Sequence, residues 1–269
     1  MKQRAFLKWA GGKFRLTDEI SRYLPKKACL VEPFVGAGSV FLNTDFERYI
    51  LADVNPDLIN LFNTVKQDVD AYIQHSLALF LAPNANTREF YNAQRERFNH
   101  SSDPFTRSVI FLYLNRFGFN GLCRYNNKQQ YNVPFGRYKK HYFPEKELCF
   151  FAEKAQKATF ICADFQQTFD LLLENSDDYV VYCDPPYAPI QQETNFTHYA
   201  GGGFSLEQQQ ALAERAKQAN IPVLISNHDT PFTRQIYAGA KLHSLKVQRS
   251  IGKSAETRVK IDELLALFK

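Results

Sequence analysis

Tyr179-Val180-Val181-Tyr182-Cys183-Asp184-Pro185-Pro186-Tyr187 decides how the rest of the chain is read. Its first five residues are apolar, aromatic or β-branched, the composition of a buried strand, so Asp184 falls at a strand's C-terminal end. In an open α/β sheet that is where ligands bind. Two prolines then forbid helix and remove two backbone donors, leaving carbonyls on a stiff turn. A carboxylate, the Pro185 carbonyl and the Tyr187 ring are thereby held within four residues. The set suits an amino group on a flat ring: two acceptors for its hydrogens and a face to stack on. The plainer alternative is a strand-ending turn in which Asp184 caps a following helix and Tyr187 is packing.

The flanking sequence supplies the remainder of a sheet. Residues 28–42 read as strand, glycine turn (Phe34-Val35-Gly36-Ala37-Gly38) and helix, the order in which a Rossmann-like first turn cradles a nucleotide-like ligand. A second strand at 49–53 ends in Asp53, where an acid would accept ribose hydroxyls; the alternative is that Asp53 caps the helix starting near Pro56. Residues 159–163 form a third strand ending at Asp164, and 222–227 a strand that follows the amphipathic helix 206–219. Residues 242–249 and 262–268 read as a terminal antiparallel pair, although the periodicity of the last segment also fits a helix. The loop 191–204, with three consecutive glycines, is expected to be mobile beside the site.

Between the second and third strands the spacing changes. Apolar periodicity is helical over 57–81, 88–99 and 105–115, and 122–135 reads as a β-hairpin turning at Asn126-Asn127-Lys128. So long a connection implies an insertion. The expected organisation is a catalytic domain of 1–56 and 145–269 carrying an inserted recognition domain of 57–144.

Charge points the insert towards nucleic acid. The chain has 269 residues, 45% of them hydrophobic and 14% aromatic, and a net charge of +5. Between Pro104 and Phe143 there is no acid, while Arg107, Arg116, Arg124, Lys128, Arg137, Lys139 and Lys140 carry seven positive charges, so the rest of the chain is net negative. The same segment is rich in Phe and Tyr. Basic residues interleaved with aromatics suit a surface that neutralises phosphates and inserts side chains among bases. A solvated charged face is the alternative.

Other classes fit less well. No apolar run approaches the ~20 residues of a membrane span, and no secretory leader is expected. Five scattered cysteines without a CxxC pair suggest a reduced, cytoplasmic protein. The histidines show no metal spacing. Phe6-Leu7-Lys8-Trp9-Ala10-Gly11-Gly12-Lys13 offers close backbone approach and a stacking face, or else a plain helix start with Trp9 in the core; Lys13 lacks P-loop spacing, so ATP is not indicated.

Lys8-Trp9-Ala10-Gly11-Gly12-Lys13, Phe34-Val35-Gly36-Ala37-Gly38 and Asp184-Pro185-Pro186-Tyr187, in that order and with a large insert before the last, resemble the Dam-type DNA adenine methyltransferases. The similarity extends over essentially the whole chain, including the stretch from Leu114 through Asn115-Arg116-Phe117-Gly118-Phe119-Asn120-Gly121 to Tyr125. It implies a Rossmann-like α/β fold with a mostly parallel seven-stranded sheet. It also implies methyl transfer from S-adenosylmethionine, leaving S-adenosylhomocysteine, to the N6 amine of a flipped-out adenine in double-stranded GATC. No metal is implied; a monomer acting in the cytoplasm on nucleoid DNA is.

By the same resemblance, Asp184, Pro185 and Tyr187 are catalytic. Trp9, Lys13, Phe34, Gly36, Asp53, Asp164, Phe165 and Asp184 contact the cofactor. Lys8, Phe119, Asn120, Leu122, Arg124, Pro134 and Tyr138 face DNA, with Arg124 set against a guanine, Phe119 as a wedge, and Lys139 and Lys140 on phosphates. The chain has Phe at 117 and 119, where the family often has Tyr. A non-catalytic DNA-binding regulator and an RNA or cytosine-N4 methyltransferase remain as alternatives at this point.

Overall fold

The computed structural model describes residues 2–172, 178–189, 204–248 and 260–269. In chain order the elements are α1 (Thr17–Tyr23), β1 (Cys29–Glu32), α2 (Ser39–Leu42), β2 (Arg48–Asp53), α3 (Pro56–Gln67), α4 (Val69–Leu81), α5 (Arg88–His100) and α6 (Pro104–Phe117). Then follow α7 (Glu145–Ala155), β3 (Ala158–Cys162), α8 (Phe165–Asp170), β4 (Tyr179–Cys183), α9 (Leu206–Gln218), β5 (Val223–His228), α10 (Pro231–Ile236), β6 (Lys241–Gln248) and β7 (Lys260–Phe268). The 191–204 loop lies, apart from Phe204, outside the described residues.

Seven strands make one sheet in the order β3-β2-β1-β4-β5-β7-β6. β1 runs parallel to β2 and β4, and β4 parallel to β5, while β7 is antiparallel to both β5 and β6. This is the mostly parallel α/β sheet expected of a Rossmann-like methyltransferase. The strand order reverses between β1 and β4, and ligands of such sheets bind beyond the C-terminal strand ends at that reversal. The ambiguous C-terminal segment is a strand because β5 and β6 offer it backbone partners on both edges.

The chain divides into two compact units. One comprises Glu19–Phe34, Phe46–Ala52 and Ala163–Lys269. Its strands alternate as the pleat requires. Val31, Val181, Cys183, Val223, Ile225, Leu264 and Ala266 share a core with Leu212, Ala213 and Ala216 of α9, Phe165 and Phe169 of α8, and Ile236 of α10. Their intervening neighbours Glu32, Tyr182, Ser226, His228 and Glu263 therefore point to the opposite face, and all five are buried. That row of polar side chains reappears at the site.

The other unit comprises Met1–Asp18, Val35–Asp45 and Asp53–Cys162. Phe6, Phe41, Phe62, Phe151 and Phe160 pack there edge-to-face or tilted, except that Phe151 stacks on Phe160, with ring centroids such as 4.8 Å for Phe62–Phe151. The helical stretch 57–81 is two helices rather than one. Asp68 closes α3 through its backbone N–H to Thr64 and opens α4 by accepting from the Ala71 N–H. Thr87 caps α5, and Asp103 caps α6, whose first residue Pro104 has no N–H to satisfy. Residues 122–135 double back as expected of a hairpin, but antiparallel pairing is confined to the bridges Tyr125↔Tyr131 and Gly118↔Phe135. Side chains do the rest: Asn99 bonds the Tyr131 backbone on both sides, and Tyr91 donates to the Val133 carbonyl at 2.9 Å.

Candidate active site and nucleic-acid interface

At the end of β4 the capping alternative for Asp184 fails, since 185–189 are not helical. Asp184 Oδ1 instead accepts from the Ser226 hydroxyl at 2.9 Å. The whole turn is tied to neighbouring strands and to α9. Gln209 Nε2 donates to the Pro186 carbonyl at 2.7 Å, Asn227 Oδ1 accepts the Ala188 N–H at 3.0 Å, and His228 Nδ1 lies 2.7 Å from the Ala188 carbonyl. The Tyr187 hydroxyl donates to Glu263 Oε2 at 3.0 Å, and its ring meets His228 edge-on at 4.8 Å. Pro185 is buried and Tyr187 half-buried. Burial, and then the nearby Asp184 charge, hold the Tyr182 and Tyr187 phenols far above their ordinary titration range, so both are hydroxyl donors at any working pH. The strand 222–227 is legible in the sequence, but the part played by Ser226, Asn227, His228, Gln209 and Glu263 is not. It emerges from the pairing of β5 with β4 and β7 and from the placing of α9 against the turn.

In the same unit Phe34 stacks on Phe165 at 6.0 Å, and Phe204 meets both rings edge-on at 5.5 Å. Asp164 is committed to α8: its Oδ1 accepts the Gln167 N–H at 2.8 Å, and Gln167 reaches back to the Asp164 N–H at 3.0 Å. This capping box leaves Asp164 as the fixed entry to α8, with Phe165 buried behind it.

The glycine turn of the other unit is built around a backbone cradle. Gly36 has φ +48, and a Cβ there would lie 3.0 Å from Trp9 Nε1, so Trp9 and the turn are in close contact. Asp53 Oδ2 accepts the Gly36 N–H at 3.1 Å and Oδ1 the Asn55 N–H at 3.0 Å. The cap of α3 is Asn55, not Asp53. Burial pushes the Asp53 carboxyl upwards, and the backbone N–H groups pull it partly back. Lys13 is buried and donates to the Gly11 carbonyl at 2.9 Å. Among the described residues no cluster of His, Cys, Asp or Glu has the arrangement of a metal site, and no helix is long and apolar enough to cross a membrane.

The basic stretch is less uniform than its sequence. Arg107 bonds Asp57 at 2.7 Å and the Phe98 carbonyl at 2.7 Å, and lies over the Phe98 ring. Arg116 reaches the Phe6 carbonyl. These two charges serve the fold, whereas Arg124, Lys128, Arg137, Lys139 and Lys140 are exposed. Phe111, Tyr113, Phe117 and Tyr131 are likewise core. Phe117 stacks on Tyr113 at 4.3 Å and on His141 at 3.6 Å, an environment with no need of a hydroxyl.

What remains outside is compact. Phe119 is 47% exposed at a turn where Asn120 has φ +53, and the Asn120 N–H donates to the Tyr138 hydroxyl at 2.7 Å. Lys8 Nζ lies 4.3 Å over the Tyr138 ring and donates to the Arg116 carbonyl; burial, and then Arg116, lower its pKa. The Phe119 N–H donates to the carbonyl of Pro134, itself exposed, and Leu122 is half-buried. Arg124 is exposed, its guanidinium turned by Asn132 through an Nε–Oδ1 bond of 2.7 Å.

A family model described as D12 class N6 adenine-specific DNA methyltransferase matches residues 9–251. The chain is 64% identical over 273 residues to a DNA adenine methylase of Haemophilus influenzae, covering 100% of this chain and 94% of that one. It is 60% identical over 271 residues to a DNA adenine methylase of Escherichia coli, covering 100% and 96%. With a DNA adenine methylase of Vibrio cholerae it shares 59% over 271 residues, 99% of this chain and 96% of the other.

Proposed function

Since the chain belongs to the D12 class of N6 adenine-specific DNA methyltransferases, and so is an enzyme methylating DNA adenine at N6, we propose that its donor is S-adenosylmethionine and its target the adenine of double-stranded GATC. Residues 57–144 act as the recognition insert, and 1–56 with 145–269 as the catalytic part. The protein works as a monomer on nucleoid DNA.

The observation that carries the reading is the Asp184-Pro185-Pro186-Tyr187 turn held by five surrounding side chains at the end of β4. Adenine's amine is a poor nucleophile because its lone pair is delocalised into the ring. Asp184 and the Pro185 carbonyl each accept one amine hydrogen, which lets the nitrogen pyramidalise. Positive charge developing on that nitrogen is stabilised by the Asp184 carboxylate, so prior deprotonation is unnecessary. The base must leave the duplex to reach these groups, at a cost of a few kcal/mol, and Tyr187 receives it by stacking.

The residues present fit the donor. Within one unit Gly36 has no Cβ to fill the turn beside Trp9, and Asp53 supplies a carboxylate; Lys13 stands on the same segment as Trp9. Within the other, Phe34 and Phe165 offer an aromatic face, Asp164 fixes the entry to it, and Asp184 orients what lies beyond the strand end. Bound S-adenosylmethionine supplies an electrophilic methyl group carrying its own leaving group. The protein's share is alignment and electrostatics.

For DNA, Arg124 presents its fork to a guanine, Phe119 wedges into the stack beside the vacated position, and Asn120, Leu122, Pro134, Tyr138 and Lys8 line the same surface, with Lys139 and Lys140 on phosphates. Labelled methyl transfer to GATC duplexes and to duplexes altered at one base pair tests this. Transfer should be confined to GATC; equal labelling of the variants would overturn the assigned sequence, and labelling of RNA alone would overturn the substrate.

A further inference from the structure

Ser226 is not among the groups assigned to substrate or cofactor, yet its hydroxyl donates to the Asp184 carboxylate. It is 1% exposed and lies 2.9 Å from Asp184 Oδ1, 3.0 Å from the Tyr182 hydroxyl and 3.4 Å from the Cys183 carbonyl. A serine hydroxyl has one proton. If that proton goes to the carboxylate, the Tyr182 hydroxyl must donate to Ser226 Oγ, and a buried, protonated phenol does so. The result is a directed chain, Tyr182 O–H to Ser226 O–H to Asp184, in which each bond polarises the next.

Strand geometry supports the same direction. Tyr182 of β4 and Ser226 of β5 lie on one face of two paired strands, and the register places Tyr182 beside Leu224 and Cys183 beside Ile225. Asp184 and Ser226 are therefore one step beyond that ladder on the same face, which brings the serine hydroxyl to the carboxylate at 2.9 Å. Resting on the reading of Asp184 as the amine acceptor, the geometry points to Ser226, backed by Tyr182, as the positioning residue that fixes the plane of the Asp184 carboxylate for the target amine.

A carboxylate that accepts an amine hydrogen must hold its lone pair in line as the nitrogen pyramidalises, so a rotation about its Cβ–Cγ bond weakens the transition state more than it weakens binding. Ser226→Ala should lower the single-turnover methyl-transfer rate roughly 10- to 100-fold, the size expected for misplacement of a reacting group, with dissociation constants for duplex and cofactor within about twofold of wild type by the same argument. Ser226→Thr, which keeps the hydroxyl, should recover most of the rate. Tyr182→Phe should fall between the two, and it decides the matter should Ser226→Ala not fold.

The inference is overturned if Tyr182→Phe and folded Ser226→Ala transfer methyl at the wild-type rate, or if binding weakens in step with rate in both, which is the pattern of mere packing. Asp184→Asn separates the two layers. If it transfers at the wild-type rate, the reading of Asp184 fails and Ser226 has nothing to position; if it is inactive while Ser226→Ala is unaffected, only the present inference fails.

Discussion

The Tyr187 hydroxyl donates to the buried carboxylate of Glu263 at 3.0 Å, joining the ring at the end of β4 to the last strand of the sheet. Two functions of one side chain are thereby separable. Tyr187→Phe keeps the stacking face and removes a bond to a buried acid, a loss of about 1–3 kcal/mol in stability, so thermal unfolding should come earlier while methyl transfer largely persists. Tyr187→Ala removes the platform, and stacking worth about 1–3 kcal/mol per base should be lost from transfer to duplex. A Phe variant as impaired as the Ala variant would show that the hydroxyl, not the ring, carries the role.

Gly36 offers a test of the glycine turn. Its φ is +48, and a Cβ there would lie 3.0 Å from Trp9 Nε1, so the indole would have to give by a few tenths of an ångström. Gly36→Ala should cost about 1–2 kcal/mol for the left-handed backbone alone and displace the indole. Trp9 is the single tryptophan of the chain, so its fluorescence reports both the displacement and any weakened cofactor titration. An unchanged spectrum with wild-type titration would contradict the cradle.

Much of this is legible in the sequence alone. Residues 179–183 and 223–227 announce themselves as strands by their β-branched and apolar runs, and Asp184, Gly36 and Asp53 stand at strand ends where such folds place ligands. The basic stretch was legible in sign but not in depth. Arg107 and Arg116 sit on a helix that buries nine of its 14 residues, so a count of charges mixes structural cations with exposed ones. The polar row of Ser226, His228 and Glu263 was not legible, because it exists only through strand pairing that sets His228 across from Glu263.

The inner and outer cations should behave differently. Arg107→Ala strips Asp57, 9% exposed on its side chain, of an ion-pair partner but leaves it the Tyr125 hydroxyl at 2.7 Å, so the loss should stay below the ~3–5 kcal/mol of a fully buried pair. Lys139→Gln and Lys140→Gln should leave unfolding nearly unchanged, weaken all duplexes alike, and each reduce the slope of log affinity against log salt by about 0.9. A salt slope insensitive to both lysines would remove them from the phosphate contacts.

Arg124→Ala should instead flatten discrimination at one base pair by about 1–3 kcal/mol, read by comparing transfer to duplexes altered position by position. Uniform weakening across all duplexes would reassign Arg124 to the backbone.

His141 predicts a pH dependence of stability. Stacked on Phe117 and 2.8 Å from Asn86 Oδ1, its imidazole is held below its ordinary pKa by burial and then by Lys8. The folded state therefore binds fewer protons than the unfolded chain between the two pKa values, and stability falls as pH drops from the ordinary imidazole range, about 6.5, through the lowered folded value. His141→Phe should flatten that part of the profile in denaturant titrations; an unaltered slope would assign the acid sensitivity elsewhere.

Asp184 is proposed to direct methyl transfer to an adenine amine. Nucleoside analysis of a GATC duplex incubated with the protein and isotopically labelled S-adenosylmethionine tests it most directly. The wild-type protein should place label solely in N6-methyldeoxyadenosine, and Asp184→Ala should place none. Label in N4-methyldeoxycytidine, or undiminished adenine labelling by Asp184→Ala, would contradict it.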